Sequence, residues 1–159
     1  MGSRKYNATK VRFETAQGEL VTFDSLTEMQ VYRNLRPICT AMGIKIHPHY
    51  PILIKPESPR FKPRHYIVDF MLTCHRFNDL LIEVKSWPTI TDDFILKLEM
   101  MDHFDPSLMS DYVIALVNGS KIVQRRGKNT TLAELAQKRC KCNVIDVTQL
   151  PYWVSMNFS

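Results

Sequence analysis

Two short apolar runs stand out in the middle of the chain. The first occupies residues 66–72 and the second residues 80–87, with a polar break between them. Short runs rich in β-branched and aromatic residues on either side of a polar break predict a β-hairpin. Because side chains alternate along a strand, we expect Glu83 and Lys85 on one side of the second strand and Val84 on the other, facing the core.

An acidic residue interrupts the first of these runs. Asp69 lies among apolar residues, and antiparallel pairing of the two strands would bring it close to Glu83. An acid without a partner inside an apolar strand is costly, so its presence indicates a role beyond packing. The charges of Asp69, Glu83 and Lys85 are therefore expected to converge on one patch beside the sheet.

The N-terminal third of the chain predicts a hairpin, a helix and an edge strand. Residues 9–23 alternate between apolar and polar side chains on both sides of a Gln-Gly turn, which is typical of a hairpin. Between Ser25 and Gly43, apolar residues recur at three- and four-residue spacing, which predicts an amphipathic helix with a cap at each end. Residues 44–54 predict two short strands or one broken strand, and their prolines place this segment at a sheet edge.

The rest of the chain alternates between helices and strands. Thr91 and Thr131 are candidate N-caps of two further helices. Residues 112–117 form a continuous apolar run, typical of a central strand that is covered on both faces. Residues 143–147 predict a last strand, and residues 151–154 a C-terminal cover whose aromatic side chains pack on the core. This order predicts an α/β fold with a mixed central β-sheet flanked by helices.

The composition is that of a globular protein. Hydrophobic residues make up 45% of the 159 residues, which predicts one domain, residues 1–159, with a sizeable core. No apolar run approaches the roughly 20 residues of a membrane span, so we expect no membrane partner. The N-terminus has no apolar signal core, which favours a cytoplasmic location. Disulfides are rare there, so the four cysteines are interpreted as ordinary thiols.

The net charge of +5 favours a polyanionic partner such as DNA. Basic side chains are concentrated in a proline-rich segment, residues 55–65, and in a glycine-containing segment, residues 118–128. The first segment lies just before the Asp69 strand, where it could contact a phosphate backbone, although a solvated loop explains it equally well. The candidate DNA-binding residues are Lys62, Arg64, Lys121, Arg125, Arg126 and Lys128.

The predicted patch of Asp69, Glu83 and Lys85 has the groups that metal-dependent phosphodiester hydrolysis needs. Hard divalent cations prefer carboxylate and carbonyl oxygens. Such a cation lowers the pKa of a bound water, and a nearby lysine can orient that water or stabilise developing charge. The alternative is that Glu83 and Lys85 form the polar face of an edge strand and pair with each other. Glu28 also has two interpretations, because it can complete a capping box with Ser25 or face the strand pair.

These elements together resemble the PD-(D/E)xK nuclease superfamily. Within it the chain is most similar to phage endonuclease I, the Holliday-junction resolvases of T-odd phages, and to a related group of small phage nucleases. The resemblance depends on Glu28 on a first helix, Asp69 on a strand, and Glu83 and Lys85 on the next strand.

Roughly residues 20–155 take part in this resemblance. Residues 23–28 are similar to the Phe-x-Ser-x-x-Glu helix start of the family, and residues 151–154 to its closing Pro-x-Trp-Ile. Val68 stands where the family has a proline before the aspartate, and Ser86 stands where it has a glycine after the lysine.

The resemblance implies a restriction-endonuclease-like fold and a metal-dependent endonuclease that hydrolyses DNA phosphodiester bonds, selective for Holliday-junction or branched DNA. It implies that Asp69, Glu83 and the backbone carbonyl of Val84 bind Mg²⁺ or Mn²⁺. Glu28 would help to hold a second metal ion, and Lys85 would position the attacking water.

The resemblance also implies a homodimer, in which residues 1–23, an arm and hairpin, are a candidate dimerisation segment and the hairpin a candidate for exchange between subunits. The protein would be phage-encoded or bacterial. A sequence-directed or transposase-type endonuclease subunit, which cuts DNA with a recombination or transposition partner protein, is an alternative. A catalytically idle DNA-binding module is another, but the presence of Glu28, Asp69, Glu83 and Lys85 argues against it.

Overall fold

The computed structural model describes residues 9–15 and 17–158, so the predicted N-terminal arm, residues 1–8, lies outside the described part. The strands are β1 (Val11–Glu14), β2 (Leu20–Phe23), β3 (Lys45–Lys55), β4 (Arg64–Cys74), β5 (Phe77–Lys85), β6 (Tyr112–Leu116), β7 (Ile122–Arg125), β8 (Lys128–Thr131) and β9 (Asn143–Asp146). The helices are α1 (Leu26–Met42), α2 (Asp92–Phe104), α3 (Pro106–Ser110), α4 (Leu132–Cys140) and α5 (Leu150–Asn157).

A mixed five-stranded sheet forms the centre of the fold, in the order β3-β4-β5-β6-β9. The first three strands pair antiparallel, whereas β5, β6 and β9 pair parallel. The predicted α/β class with a mixed central sheet is confirmed. β3 lies at one edge of this sheet, as its prolines predicted, and it is one strand with a register shift between Leu53 and Lys55.

Both faces of the sheet are covered, so the core has two layers. On one face, α1, α5 and the β1–β2 hairpin pack against residues such as Phe70 and Ile82. On the other face, α2 and α4 pack against residues such as Leu81 and Ile114. Every residue of β6 is buried, which confirms the central strand that its continuous apolar run predicted.

The helix ends follow the predicted capping chemistry. Ser25 caps α1 and accepts a hydrogen bond from the backbone N–H of Glu28, at 3.1 Å, while Gly43 ends the helix in the left-handed conformation. Thr131 and Glu134 form a reciprocal capping box at the start of α4. These short-range signals fix where α1 and α4 begin, and therefore how Glu28 faces the sheet.

Three segments differ from the sequence-based expectation. Residues 118–128, for which the sequence predicted no strand, belong for the most part to the antiparallel β7–β8 hairpin. A short additional helix, α3, follows Asp105, whose side chain caps it. The C-terminal cover is the helix α5, in which Trp153 packs against the core as predicted. Tyr152, however, is 69% exposed and does not pack on the core.

Across the described residues, none of the helices has the length and apolar character that crossing a membrane requires.

Candidate functional site

The candidate site lies where β4 and β5 separate. Their ladder runs as far as the pair Phe70 and Ile82. One residue further along β4, Asp69 Oδ2 accepts a hydrogen bond of 2.7 Å from the backbone N–H of Val84. β4 continues its pairing with β3, and β5 with β6. A carboxylate therefore occupies the place of a main-chain acceptor and lies in a gap between two interior strands.

Glu83 lies beside this gap and is almost fully buried, with 3% of its surface exposed. Its Oε1 accepts a hydrogen bond of 2.6 Å from the Tyr66 hydroxyl and lies 3.0 Å from Lys85 Nζ. Its Oε2 is also buried and has no hydrogen-bond partner among the described residues. One carboxylate oxygen is therefore fixed by the protein and the other is free to bind a ligand.

Lys85 is fixed from two directions. Besides the ion pair with Glu83, its Nζ lies 4.5 Å from the centre of the Phe94 ring. Phe94 belongs to α2 and is buried in the core. The backbone carbonyl of Lys85 accepts a hydrogen bond from Val117 at 2.8 Å. The ring and the carboxylate therefore both position the ammonium group, on a backbone that the sheet holds in place.

Glu28 approaches the gap from α1. Its Oε2 accepts a hydrogen bond of 3.2 Å from the backbone N–H of Asp24, and its Oε1 accepts one of 3.3 Å from the Ser25 hydroxyl. The residue is buried at the start of the helix. Burial raises the pKa of Glu28, and the neighbouring Asp24 charge raises it further, against the lowering effect of the Asp24 N–H. Glu28 thus both supports the helix start and adds negative charge to the site.

Asp69, at the gap itself, has a strongly raised pKa. Burial, followed by the charges of Glu83 and Glu28, raises this pKa to about 8, although the Val84 N–H and Lys85 oppose the rise. The cause is a group of carboxylates that lie close together with little water to separate them. A carboxyl group whose pKa is raised by burial and by specific neighbouring charges marks this gap as a candidate functional site.

A second group of possible metal ligands adjoins Glu28. Asp24, Glu28 and His49 each offer a ligand atom, and these atoms lie within 4.8 Å of one another. They could hold a metal ion. Asp69 and Glu83 do not belong to this group, but Glu28 interacts electrostatically with Asp69. The acids therefore form a connected series from Glu83 to Asp24.

The structure brings together most of the site residues that the sequence predicted. Glu83 and Lys85 do point to one side of β5, while Val84 packs against the opposite layer. Glu83 and Lys85 also pair with each other, as the alternative interpretation expected. However, that interpretation placed them on an edge strand, which is wrong, because β5 lies between β4 and β6.

The candidate DNA-binding residues are all exposed and lie on two segments. Lys62 belongs to the connection before β4. Arg64 is the first residue of β4 and lies at the end of the sheet where β5 and β6 finish. The other four residues follow β6, in or beside the β7–β8 hairpin; they are Lys121, Arg125, Arg126 and Lys128. Both basic segments therefore leave the sheet at the end of the strands where Lys85 lies, and not at a lateral edge strand.

Sequence reasoning missed three side chains at the site. Tyr66, which bonds to Glu83, was interpreted only as part of an apolar strand. Asp24 and His49 had no assigned role. A signal for His49 existed in its position between Pro48 and Pro51, since prolines interrupt strand pairing. Nothing in the local sequence indicates that His49 faces Glu28, because that contact joins a helix and a strand across the fold.

No protein-family model matches the chain, and no curated protein or solved structure is significantly similar to it.

Proposed function

We propose that this protein is a metal-dependent DNA endonuclease with a restriction-endonuclease-like arrangement of its sheet. The observation that carries the proposal is the placement of Asp69 and Glu83 at the separation of β4 and β5, with Lys85 fixed beside them. Buried and partly buried acids and a lysine converge there, at the end of the strands from which the basic segments also leave the sheet. This combination suits hydrolysis of a polyanionic phosphodiester.

The residues at the gap fit a hard divalent cation such as Mg²⁺ or Mn²⁺. Glu83 Oε2 is a buried oxygen without a hydrogen-bond partner among the described residues, and Asp69 has a raised pKa that a cation would lower. The N–H and C=O groups of a strand residue point to the same side, so we expect the Val84 carbonyl to face the gap as its N–H does. Asp69, Glu83 and Val84 would therefore hold the ion.

When bound, the cation would supply a water of lowered pKa and neutralise charge on the phosphate. Lys85 uses one of its three N–H donors on Glu83 and keeps the others for the attacking water or a phosphate oxygen. Phe94 keeps the ammonium group in place and shields it from bulk water. Tyr66 holds Glu83 in the orientation that leaves Oε2 free.

The basic segments would bind the DNA backbone. Exposed Arg and Lys side chains near a cleft contribute affinity without sequence preference by releasing counterions from the phosphates. Recognition of shape through phosphates fits the preference for branched DNA that the resemblance to phage endonuclease I implies. A homodimer, as in that family, would present two such sites to the two strands of a junction.

The test is a cleavage assay with Mg²⁺ or Mn²⁺ on a four-way junction, a matched duplex and single-stranded DNA, using Lys85→Ala as the control. Symmetric cutting of the junction alone would support a structure-selective nuclease. Cutting of the plain duplex would favour the sequence-directed or transposase-type alternative. No cutting of any substrate, together with no Mn²⁺-dependent rise in melting temperature, would leave only the idle DNA-binding module.

A further inference from the structure

His49 has an unusual position beside the site. It adopts a left-handed backbone conformation, with φ of 53°, which is uncommon for a residue other than glycine. It lies between the pairs Pro48–Phe70 and Tyr50–Val68, at the point on β3 that faces Asp69. This left-handed conformation costs conformational free energy. It places the imidazole ring against α1, near Glu28.

The ring nitrogen that reaches Glu28 is not satisfied. His49 Nε2 lies 3.8 Å from Glu28 Oε2, which is too far for a hydrogen bond. This nitrogen atom is buried, and it has no hydrogen-bond partner among the described residues. The ring is held by an edge contact with Phe23, at 5.9 Å between ring centres. A separation of 3.8 Å between His49 Nε2 and Glu28 Oε2 leaves room for a metal ion that takes both atoms as ligands at about 2.1 Å.

The concentration of acidic residues near His49 and Glu28 also favours binding of a cation. Asp24, Glu28, Asp69 and Glu83 form a series of four acids, three of which are at least half-buried against water. Glu83, at one end of this series, forms an ion pair with Lys85. Among the described residues, no lysine or arginine forms an ion pair with Glu28 or Asp24, at the other end of the series.

We propose that His49 Nε2, together with the carboxylates of Glu28 and Asp24, binds a second divalent cation beside the Asp69–Glu83 site. This inference rests on the proposed function, because the second ion would adjoin the one that Asp69 and Glu83 hold. Mg²⁺ is a hard cation that takes oxygen ligands, so an imidazole ligand disfavours it relative to Zn²⁺, Co²⁺ and, to a smaller extent, Mn²⁺. The second site is therefore expected to prefer Mn²⁺, whereas the first, made of oxygen ligands, accepts either ion.

Pulsed electron paramagnetic resonance of the Mn²⁺-loaded protein tests this directly, because it detects nitrogen bound to Mn²⁺ without any need for activity. We expect a ¹⁴N modulation once Mn²⁺ exceeds one equivalent per chain, and its replacement by the ¹⁵N pattern when histidine alone is ¹⁵N-labelled. The labelled wild-type protein needs no substitution, so a folding defect cannot obscure the result. Absence of the modulation at saturating Mn²⁺ would overturn the proposal and leave an ion pair between His49 and Glu28.

Two matched variants identify the histidine. Asn tolerates the left-handed conformation, so His49→Asn should keep the fold while it removes the modulation and weakens the second site about ten- to a hundredfold. His47→Asn is the control, since His47 lies on the same strand but bonds to Thr73. A modulation that survives in His49→Asn, or that disappears in His47→Asn, would contradict the assignment.

The two proposals can fail separately. Nitrogen-coupled Mn²⁺ in a protein that cuts no DNA would support the second metal site and refute the nuclease. DNA cleavage that depends on Lys85, in a protein whose Mn²⁺ shows no nitrogen coupling, would support the nuclease and refute the role of His49.

Discussion

The backbone N–H of Val84 donates to Asp69 Oδ2 at 2.7 Å, in the place where an antiparallel ladder would put a main-chain carbonyl. This hydrogen bond fixes the Asp69 carboxylate between two strands that have begun to separate. It also satisfies a backbone donor that would otherwise lack a partner at the end of the ladder. One interaction therefore links the two strands where they separate and orients the acid between them.

The first prediction concerns catalysis. Lys85→Ala and Asp69→Ala should each lower DNA cleavage by about a thousandfold or more, because in the proposed function each removes a group that acts on the reacting phosphate or its metal. Binding of four-way-junction DNA without added metal should remain, since neither residue belongs to the exposed basic segments. Single-turnover cleavage and a gel-shift titration measure the two effects.

Lys45→Ala is the matched control for Lys85→Ala. Lys45 is exposed and pairs with Thr73 at the opposite end of the sheet, so its loss should leave cleavage unchanged. If Lys85→Ala cut DNA at the wild-type rate, the assignment of the site would be wrong.

The second prediction follows from the raised pKa of Asp69. Its pKa is 3.8 in a model peptide and about 8 in the folded protein, so between these values the folded state binds more protons than the unfolded state. The free energy of unfolding of the metal-free protein should therefore decrease as the pH rises through this window, and level off above it. Asp69→Asn removes this contribution and should stabilise the metal-free protein at neutral pH by roughly 1–3 kcal/mol.

Thermal melting in a chelator across the same pH range measures this effect. Asp146→Asn is a control of opposite sign. Burial acts to raise the pKa of Asp146, but hydrogen bonds from Thr148 and Ser120 outweigh it and lower that pKa, so this substitution should destabilise the protein. A melting temperature of Asp69→Asn below that of the wild type at neutral pH would show that burial and the neighbouring acids do not destabilise the ionised Asp69 side chain.

Local sequence signals predicted the main elements of the fold well. The capping residue Ser25 and the apolar run of β6 are short-range features, and the structure confirms both. The pairing of β4 with β5 could also be predicted from the sequence, because a hairpin joins strands that are adjacent in sequence. Alternation along β5 then placed Glu83 and Lys85 on one side.

Contacts between segments that are distant in sequence could not be predicted in this way. The approach of His49 to Glu28 depends on a left-handed residue within β3 and on how α1 packs over the sheet. The support of Lys85 by Phe94 depends on the placement of α2. Neither relationship leaves a periodic pattern, since each involves one residue from each of two elements. The hairpin formed by β7 and β8 was missed because its strands are polar and exposed, so they lack the apolar alternation of a half-buried strand.

The third prediction tests the support of Glu83 by Tyr66. Tyr66→Phe removes the 2.6 Å hydrogen bond to Glu83 Oε1 and leaves a buried carboxylate with Lys85 alone. We expect the free energy of unfolding to fall by about 1–3 kcal/mol, the cost of losing a hydrogen bond to a charged group. Cleavage should fall too, because Glu83 loses the partner that fixes its orientation. Tyr152→Phe, at an exposed position, should change neither quantity, and an equal effect of the two substitutions would refute the role of Tyr66.

The fourth prediction concerns the basic hairpin. Arg125→Gln combined with Arg126→Asn should weaken DNA binding and reduce the slope of log K against log salt by about 1–2, since each lost phosphate contact removes about 0.9 from that slope. Asn suits position 126 because Arg126 has a φ of 50°.

The matched control for this double variant is Lys45→Ala with Arg76→Ala, which removes the same charge from the opposite end of the sheet. A loss of net charge alone would weaken both variants equally, whereas specific contacts would weaken only the first. If the salt slope of the Arg125 and Arg126 variant equalled that of the wild type, the hairpin would face away from the DNA. The phosphate contacts would then have to come from the segment of Lys62 and Arg64, on the other side of Lys85.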